Sequence, residues 1–159
     1  MGNQVSGSDA PSGRIVVGVD GSEASLRALE WATGQAQRTG SVLEIVCCWV
    51  FPATLAPYGL PPAPADYEVV TTKIMQDAVA KATELDPDVR LEPHVENEAP
   101  ALALVHASAG ADLLVVGSRG LGGFASLLMG SVSQYCAHHA ECPVLVVPSP
   151  AVHEEHGTA

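Results

Sequence analysis

Between residues 117 and 131 the chain reads GSRGLGGFASLLMGS, with five glycines in fifteen positions. An apolar run, ADLLVV, precedes it, and SVSQYCAHHA, a helical pattern, follows. Ordered glycine costs roughly 1 kcal/mol against alanine, so a strand-to-helix loop this rich in it serves a purpose. Several phosphate-binding readings compete. A P-loop needs G-x-x-x-x-G-K-[ST], and neither Lys73 nor Lys81 lies near this loop. GLGGFA (120–125) matches G-x-G-x-x-A. A dinucleotide fingerprint, however, follows the first strand of a βαβ pair whose second strand ends in an acidic residue, and only one strand remains downstream here. A glycine-rich connector with no ligand is a third reading. The remaining pattern is Gly117-x-x-Gly120, nine residues, then Gly130-Ser131.

Charge narrows what can bind. The chain of 159 residues carries a net charge of −11, with only seven lysines and arginines. Nucleic-acid binding is driven mainly by basic residues, so no nucleic-acid partner is expected. An anion must be met by backbone N–H groups or by Arg119. The four cysteines, Cys47, Cys48, Cys136 and Cys142, form no C-x-x-C pair. Cys47 and Cys48 should point to opposite faces of a strand. Reduced thiols, a cytoplasmic location and no membrane association are expected, because no apolar run approaches a membrane span and no secretory signal is visible. The opening residues also match the myristoylation pattern M-G-x-x-x-S; a disordered leader is the plainer reading. His138 and His139 sit about 100° apart on a helix and do not readily share one metal ion.

The elements that must position these residues follow from periodicity. RIVVGVD (14–20) reads as a buried strand ending in Gly18 and Asp20. Ser22 is a plausible N-cap, with Leu29, Ala32 and Ala36 on one helical face and Gly40 as the stop. VLEIVCCWV (42–50) is the second strand. Residues 51–66 hold five prolines and read as a long loop, expected to act as a mobile lid. A helix resumes near Asp66, with Val70, Ile74, Ala78, Ala82 and Leu85 as its stripe. Residues 89–96 alternate as a strand with one wet face, and Pro93 puts it at a sheet edge. Pro100 opens a helix that should face inward through Leu102, Val105 and Ala109. DLLVVG (112–117) and PVLVVP (143–148) are the last two strands, with a helix from about Gly130 between them.

Strands alternating with helices imply an α/β fold: a five-stranded parallel sheet with right-handed crossovers and helices on both faces. The runs 15–19 and 113–117 are plainly buried on both sides and belong at the centre. The strand order 3-2-1-4-5 satisfies this. Ligands of such sheets lie beyond the carboxyl ends of the strands, at the switch point between strands 1 and 4. Asp20 and the glycine-rich loop should therefore face one another across one crevice.

The full spacing G-x-x-G, nine residues, G-S, together with IVVGVDGS near the start and CPVLVVP near the end, resembles the ATP-binding branch of the universal stress protein family. The resemblance covers roughly residues 13–148, leaving a leader (1–12) and a tail (149–159) expected to be disordered. It implies a Rossmann-like fold of the adenine nucleotide alpha hydrolase type. It also implies an adenine-nucleotide sensor in stress response or growth control, binding ATP with Mg²⁺. Gly117 and Gly120 would let the backbone approach ribose and phosphates. Gly130 and Ser131 would open a helix whose free N–H groups favour an anion. The resemblance further implies that Asp20 bonds near the ribose, that Gly18, Val116 and Val132 line the pocket, and that Cys48 lies at the adenine contact. Arg119 would either neutralise charge or, from its place within the loop, face solvent. A homodimer through residues 143–147 is implied, where an apolar run lies at a sheet edge. A slow nucleotide hydrolase on the same fold and a nucleotide-free interaction module are the competing readings. No catalytic residue stands out, since the loop has no lysine and Asp20 is already claimed by the ribose.

Overall fold

The computed structural model describes residues 11–52, 63–121 and 129–149. The elements run β1 (Arg14–Gly18), α1 (Glu23–Thr39), β2 (Val42–Cys48), α2 (Pro64–Leu85), β3 (Leu91–Glu96), α3 (Pro100–Ser108), β4 (Leu113–Gly117), α4 (Ser131–His139) and β5 (Val144–Val147). All strand pairs are parallel, in the order β3-β2-β1-β4-β5, as the burial argument requires.

The pleat sends alternate residues of each strand to opposite faces. Ile15, Val17, Leu43, Ile45, Cys47 and Val115 pack under α1 and α2, around Leu29, Ala32, Ala78 and Ala82. On the other face, Val16, Val46, Leu114 and Val116 meet Ala103 and Leu104 of α3 and Cys136 of α4. Cys47 and Cys48 divide between the two faces as expected. Leu29, Leu43, Ile45 and Leu114 are fully buried. Each such side chain contributes roughly 1.5–3 kcal/mol of burial.

Local chemistry explains the helix ends. Ser22 caps α1, accepting a bond from the Ser25 N–H at 3.2 Å. Gly21 stands before it at φ +83, and Gly40 closes the helix at φ +68, both in the left-handed region that glycine enters at no steric cost. α2 starts at Pro64, earlier than Asp66, because the Asp66 carboxylate accepts the Ala63 N–H at 2.9 Å and fixes the first turn. The last residues of the expected loop are therefore helical, and 53–62, the bulk of the expected lid, lie outside the described residues.

Two helix faces differ from the periodic reading. The buried stripe of α2 is Thr71, Met75, Ala78 and Ala82, while Val70 and Leu85 are exposed. In α3 the inward residues are Ala103, Leu104 and Ser108, and Leu102 is exposed. Ala78 and Ala82 are inward as expected and Ile74 packs partly buried against the core; elsewhere the inner faces take in Thr71 of α2 and Ser108 of α3, which an apolar count passes over. Their hydroxyls bond to backbone carbonyls, Thr71 to Tyr67 and Ser108 to Val105, so burial leaves no donor unmatched. The β3 reading holds as an edge strand with Glu92, His94 and Glu96 exposed, but the strand starts at Leu91 rather than 89 and Pro93 is exposed too. β1 and β2 end two residues short of the sequence reading, at Gly18 and Cys48. Most of the expected leader and tail lies outside the described residues. Ser12 and Ser149, which do not, donate backbone bonds to the Gly40 carbonyl and the Ser118 hydroxyl.

Candidate functional site

A cleft of about 470 Å³ opens beyond the carboxyl ends of β1, β2 and β4. Gly18, Asp20, Cys48, Val116, Gly117, Arg119, Gly120, Gly130, Ser131 and Val132 all line it. Residues 20 and 120, a hundred positions apart in sequence, meet because β1 and β4 are neighbours and both exit on the same side. Asp20 lies between the two loops. One oxygen accepts the Ser22 N–H at 2.9 Å and the other accepts the Leu121 N–H at 3.2 Å. A carboxylate offers about four lone-pair sites, so Asp20 keeps acceptor capacity toward the cleft while pinning the start of the glycine-rich loop.

The glycines of this loop answer to packing as well as to ligand approach. None of Gly117, Gly120 and Gly130 has a positive φ. A Cβ on Gly117 would stand 2.7 Å from the Ala24 carbonyl carbon and 2.8 Å from the Ser25 nitrogen, in the backbone of α1. A Cβ on Gly120 would stand 2.6 Å from Asp20 Oδ2. Gly117 therefore lets a helix close on β4, and Gly120 lets the loop come down on the carboxylate. Gly18 is held bare by Leu104, whose Cδ1 would lie 2.8 Å from an added Cβ.

Gly130 is the N-cap of α4, with extended backbone (φ −77, ψ 169) and no side-chain cap. The first N–H groups of the helix are thus left without a capping side chain, and the positive end of its dipole is turned to the cleft residues Gly130 to Ser133. Arg119, half-buried, is the one basic side chain among the lining residues. Three cations outside the cleft are ion-paired: Arg14 with Glu44, Lys73 with Asp77 and Lys81 with Glu30.

Cys48 closes the β2 end of the cleft. Burial, with the Glu96 and Glu98 carboxylates adding to it, holds its thiol up at about 12, so it presents a neutral S–H. Its neighbour Cys47, buried under the opposite face, is held at about 12 by burial first and then by Cys48 and Asp20. Among the described residues all four cysteines are free. Glu44, Glu92 and His94 bring potential ligand atoms within 4.8 Å of one another on the β2–β3 side of the sheet, where Glu44 is paired with Arg14. The ring of His139 lies on Tyr135, centroids 4.2 Å apart.

Several lining residues had no sequence signal of their own. Val46 shares a face with Cys48, and strand alternation would have found it. Leu104 and Pro100 come from α3, which no motif tied to the loop. Val19, Ser22, Ser25, Leu121 and Ser133 make up the rest of the lining.

The universal stress protein family model matches residues 11–148. The chain belongs to this family. A universal stress protein of Mycolicibacterium smegmatis is 36% identical over 133 residues, spanning 84% of this chain and 45% of its own length. One from Mycobacterium tuberculosis is 36% identical over 132 residues, spanning 83% of this chain and 44% of its own. The chain thus covers a little under half of the relatives it matches. Among solved structures, a universal stress protein in complex with cAMP aligns with a TM-score of 0.65 and 30% identity, covering 88% of this chain and 99% of that one. UspA from Lactobacillus plantarum shares the fold, with a TM-score of 0.70 at 22% identity over 87% of this chain and 99% of its own. Among the described residues, no helix of this universal stress protein is long and apolar enough to cross a membrane.

Proposed function

We propose that this universal stress protein binds an adenine nucleotide, ATP foremost, in the cleft, and acts as a nucleotide-responsive stress or growth regulator in the cytoplasm. The observation that carries the reading is the convergence of Asp20, the Gly117–Gly120 turn and the uncapped start of α4 on one cleft. The relative that holds cAMP, at 30% identity, supports the adenine assignment. In this reading the base lies toward Val46 and Cys48, the ribose meets Asp20, and the phosphates meet the α4 N-terminus, Ser131 and Arg119. Backbone donors and one arginine suit an acidic chain that has few cations to offer.

Mg²⁺ would arrive with the phosphates. It takes oxygen ligands and binds largely through the nucleotide itself, which leaves the Ser131 hydroxyl as the lining side chain that would hold it while Asp20 meets the ribose. Two copies pair along β5. In the parallel ladder Pro143 and Val147 turn their carbonyls to β4, which leaves the backbone of Val144 and Val146 facing the open edge.

Mass-spectrometric identification of what the purified protein releases on denaturation tests the ligand class. An adenine nucleotide is the expected result, and a ligand without adenine overturns the reading.

A further inference from the structure

Ser118 and Ser133 are buried, with exposures of 6% and 2%. Four hydrogen bonds meet at Ser118. Its N–H donates to the Val147 carbonyl at 2.7 Å, and its hydroxyl accepts the Ser149 N–H at 3.1 Å. Its carbonyl accepts the Gly130 N–H at 2.6 Å and the Ser133 hydroxyl at 3.0 Å. The same hydroxyl lies 3.0 Å from the Gly130 carbonyl. A serine carries one hydroxyl proton, so Ser133 shares it between two carbonyls that belong to opposite halves of the glycine motif.

This matters because the two halves are separated by nine residues of chain and α4 has no side-chain cap. No capping side chain fixes where the first turn of α4 points. The Gly130 N–H and the Ser133 hydroxyl both close on the Ser118 carbonyl, just past β4, and Ser118 is anchored in turn to the exit of β5 through its own N–H and hydroxyl. Helix N–H groups favour an anion only where they are aimed before it arrives, since ordering them afterwards reduces affinity.

We propose that Ser133, anchored on Ser118, is a positioning residue for the phosphate end of the cleft: it holds the N-terminus of α4 against the Gly117–Gly120 turn. The inference rests on the nucleotide reading above and deepens it. Its hydroxyl is committed to carbonyls, so it acts through the backbone rather than on the ligand.

The test compares ATP with adenosine by calorimetric titration of wild type and Ser133→Ala. The variant should weaken ATP by about five- to tenfold, the scale of one buried hydrogen bond, and leave adenosine within about twofold. Equal losses for both ligands would make Ser133 a general structural residue and overturn the proposal, as would unchanged ATP binding. Wild type binding neither ligand would instead overturn the nucleotide reading itself, and this proposal with it. Should Ser133→Ala fail to fold, Ser133→Cys keeps the volume with a weak donor and carries the same expectation. Hydrogen exchange on the free wild-type protein gives an independent check. The Gly130 amide should be protected like those of the sheet, and exchange at an unprotected rate would overturn the proposal.

Discussion

Gly117→Ala and Gly120→Ala change the same motif by the same methyl group and should fail in different ways. The added Cβ at 117 would lie 2.7, 2.8 and 2.9 Å from the carbonyl carbon of Ala24, the nitrogen of Ser25 and the Cβ of Ala24. Carbon contacts are comfortable at roughly 3.5–4.0 Å, so the first turn of α1 must back away from β4. Backbone in a capped helix yields poorly, and overpacking of this kind costs about 1–3 kcal/mol. Gly117 does not have a positive φ, so alanine there also lowers the entropy of the unfolded chain, a gain of about 0.4–1 kcal/mol. The net is a loss of about 1–2 kcal/mol, or a fall in Tm of about 3–8 °C for a domain of this size. At 120 the added Cβ meets Asp20 Oδ2 at 2.6 Å and then nothing nearer than 3.8 Å. A carboxylate can swing aside, giving up its bond to the Leu121 N–H. Gly120→Ala should therefore keep a near-wild-type urea midpoint and lose about tenfold in ATP affinity. Urea denaturation with an unchanged m-value, paired with ATP titration, reads both effects. A Gly117→Ala protein as stable as wild type, or a Gly120→Ala protein destabilised as much as Gly117→Ala, would refute the packing argument.

Arg119→Ala should weaken ATP by no more than about tenfold, because in the proposed site the anion is met mainly by backbone groups; a thousandfold loss in the titration would make Arg119 the main phosphate ligand. Val146→Pro should shift the sedimenting species from dimer to monomer, since it removes an N–H facing the open edge of β5; a wild-type monomer contradicts the pairing. The side chain of Val146 packs on the α3–α4 face, which makes a lysine there a poorer probe. Stability should fall as pH rises above about 9. The folded chain holds the protons of Cys47 and Cys48 up to about 12, whereas the unfolded chain releases them near the ordinary thiol value of 9.0. Urea midpoints between about pH 8 and 10 should decline less steeply in Cys47→Ala than in wild type, and parallel slopes would contradict the burial argument.

The sheet order was legible because β1 and β4 are apolar without alternation while β3 alternates and carries Pro93. A central place for the first two and an edge for β3 suit that contrast, although β5, apolar as well, lies at the other edge. The cleft was legible because topology brings Asp20 to the loop and because the motif has fixed spacing. The inner face of α2 was legible only in part, through Ala78 and Ala82, and that of α3 was not. Thr71 and Ser108 sit inside by satisfying their hydroxyls locally, which no hydrophobic count reveals. The close approach of α1 to Gly117 was hidden for a related reason: a glycine in a loop shows that space is short without showing what fills it. Ser118 and Ser133 look like ordinary polar residues in the chain, and only the fold shows four bonds meeting at one of them.

The central claim is that the cleft binds ATP through Asp20 and the glycine motif acting together. Calorimetric titration of ATP into wild type and Gly120→Glu, each checked for folding by circular dichroism, tests it most directly. Wild type should show saturable binding at one site per chain. Gly120→Glu should fold and bind at least about a hundredfold more weakly, because it sets bulk and a negative charge against Asp20 inside the proposed nucleotide site. A folded Gly120→Glu protein that binds ATP like wild type would contradict the account.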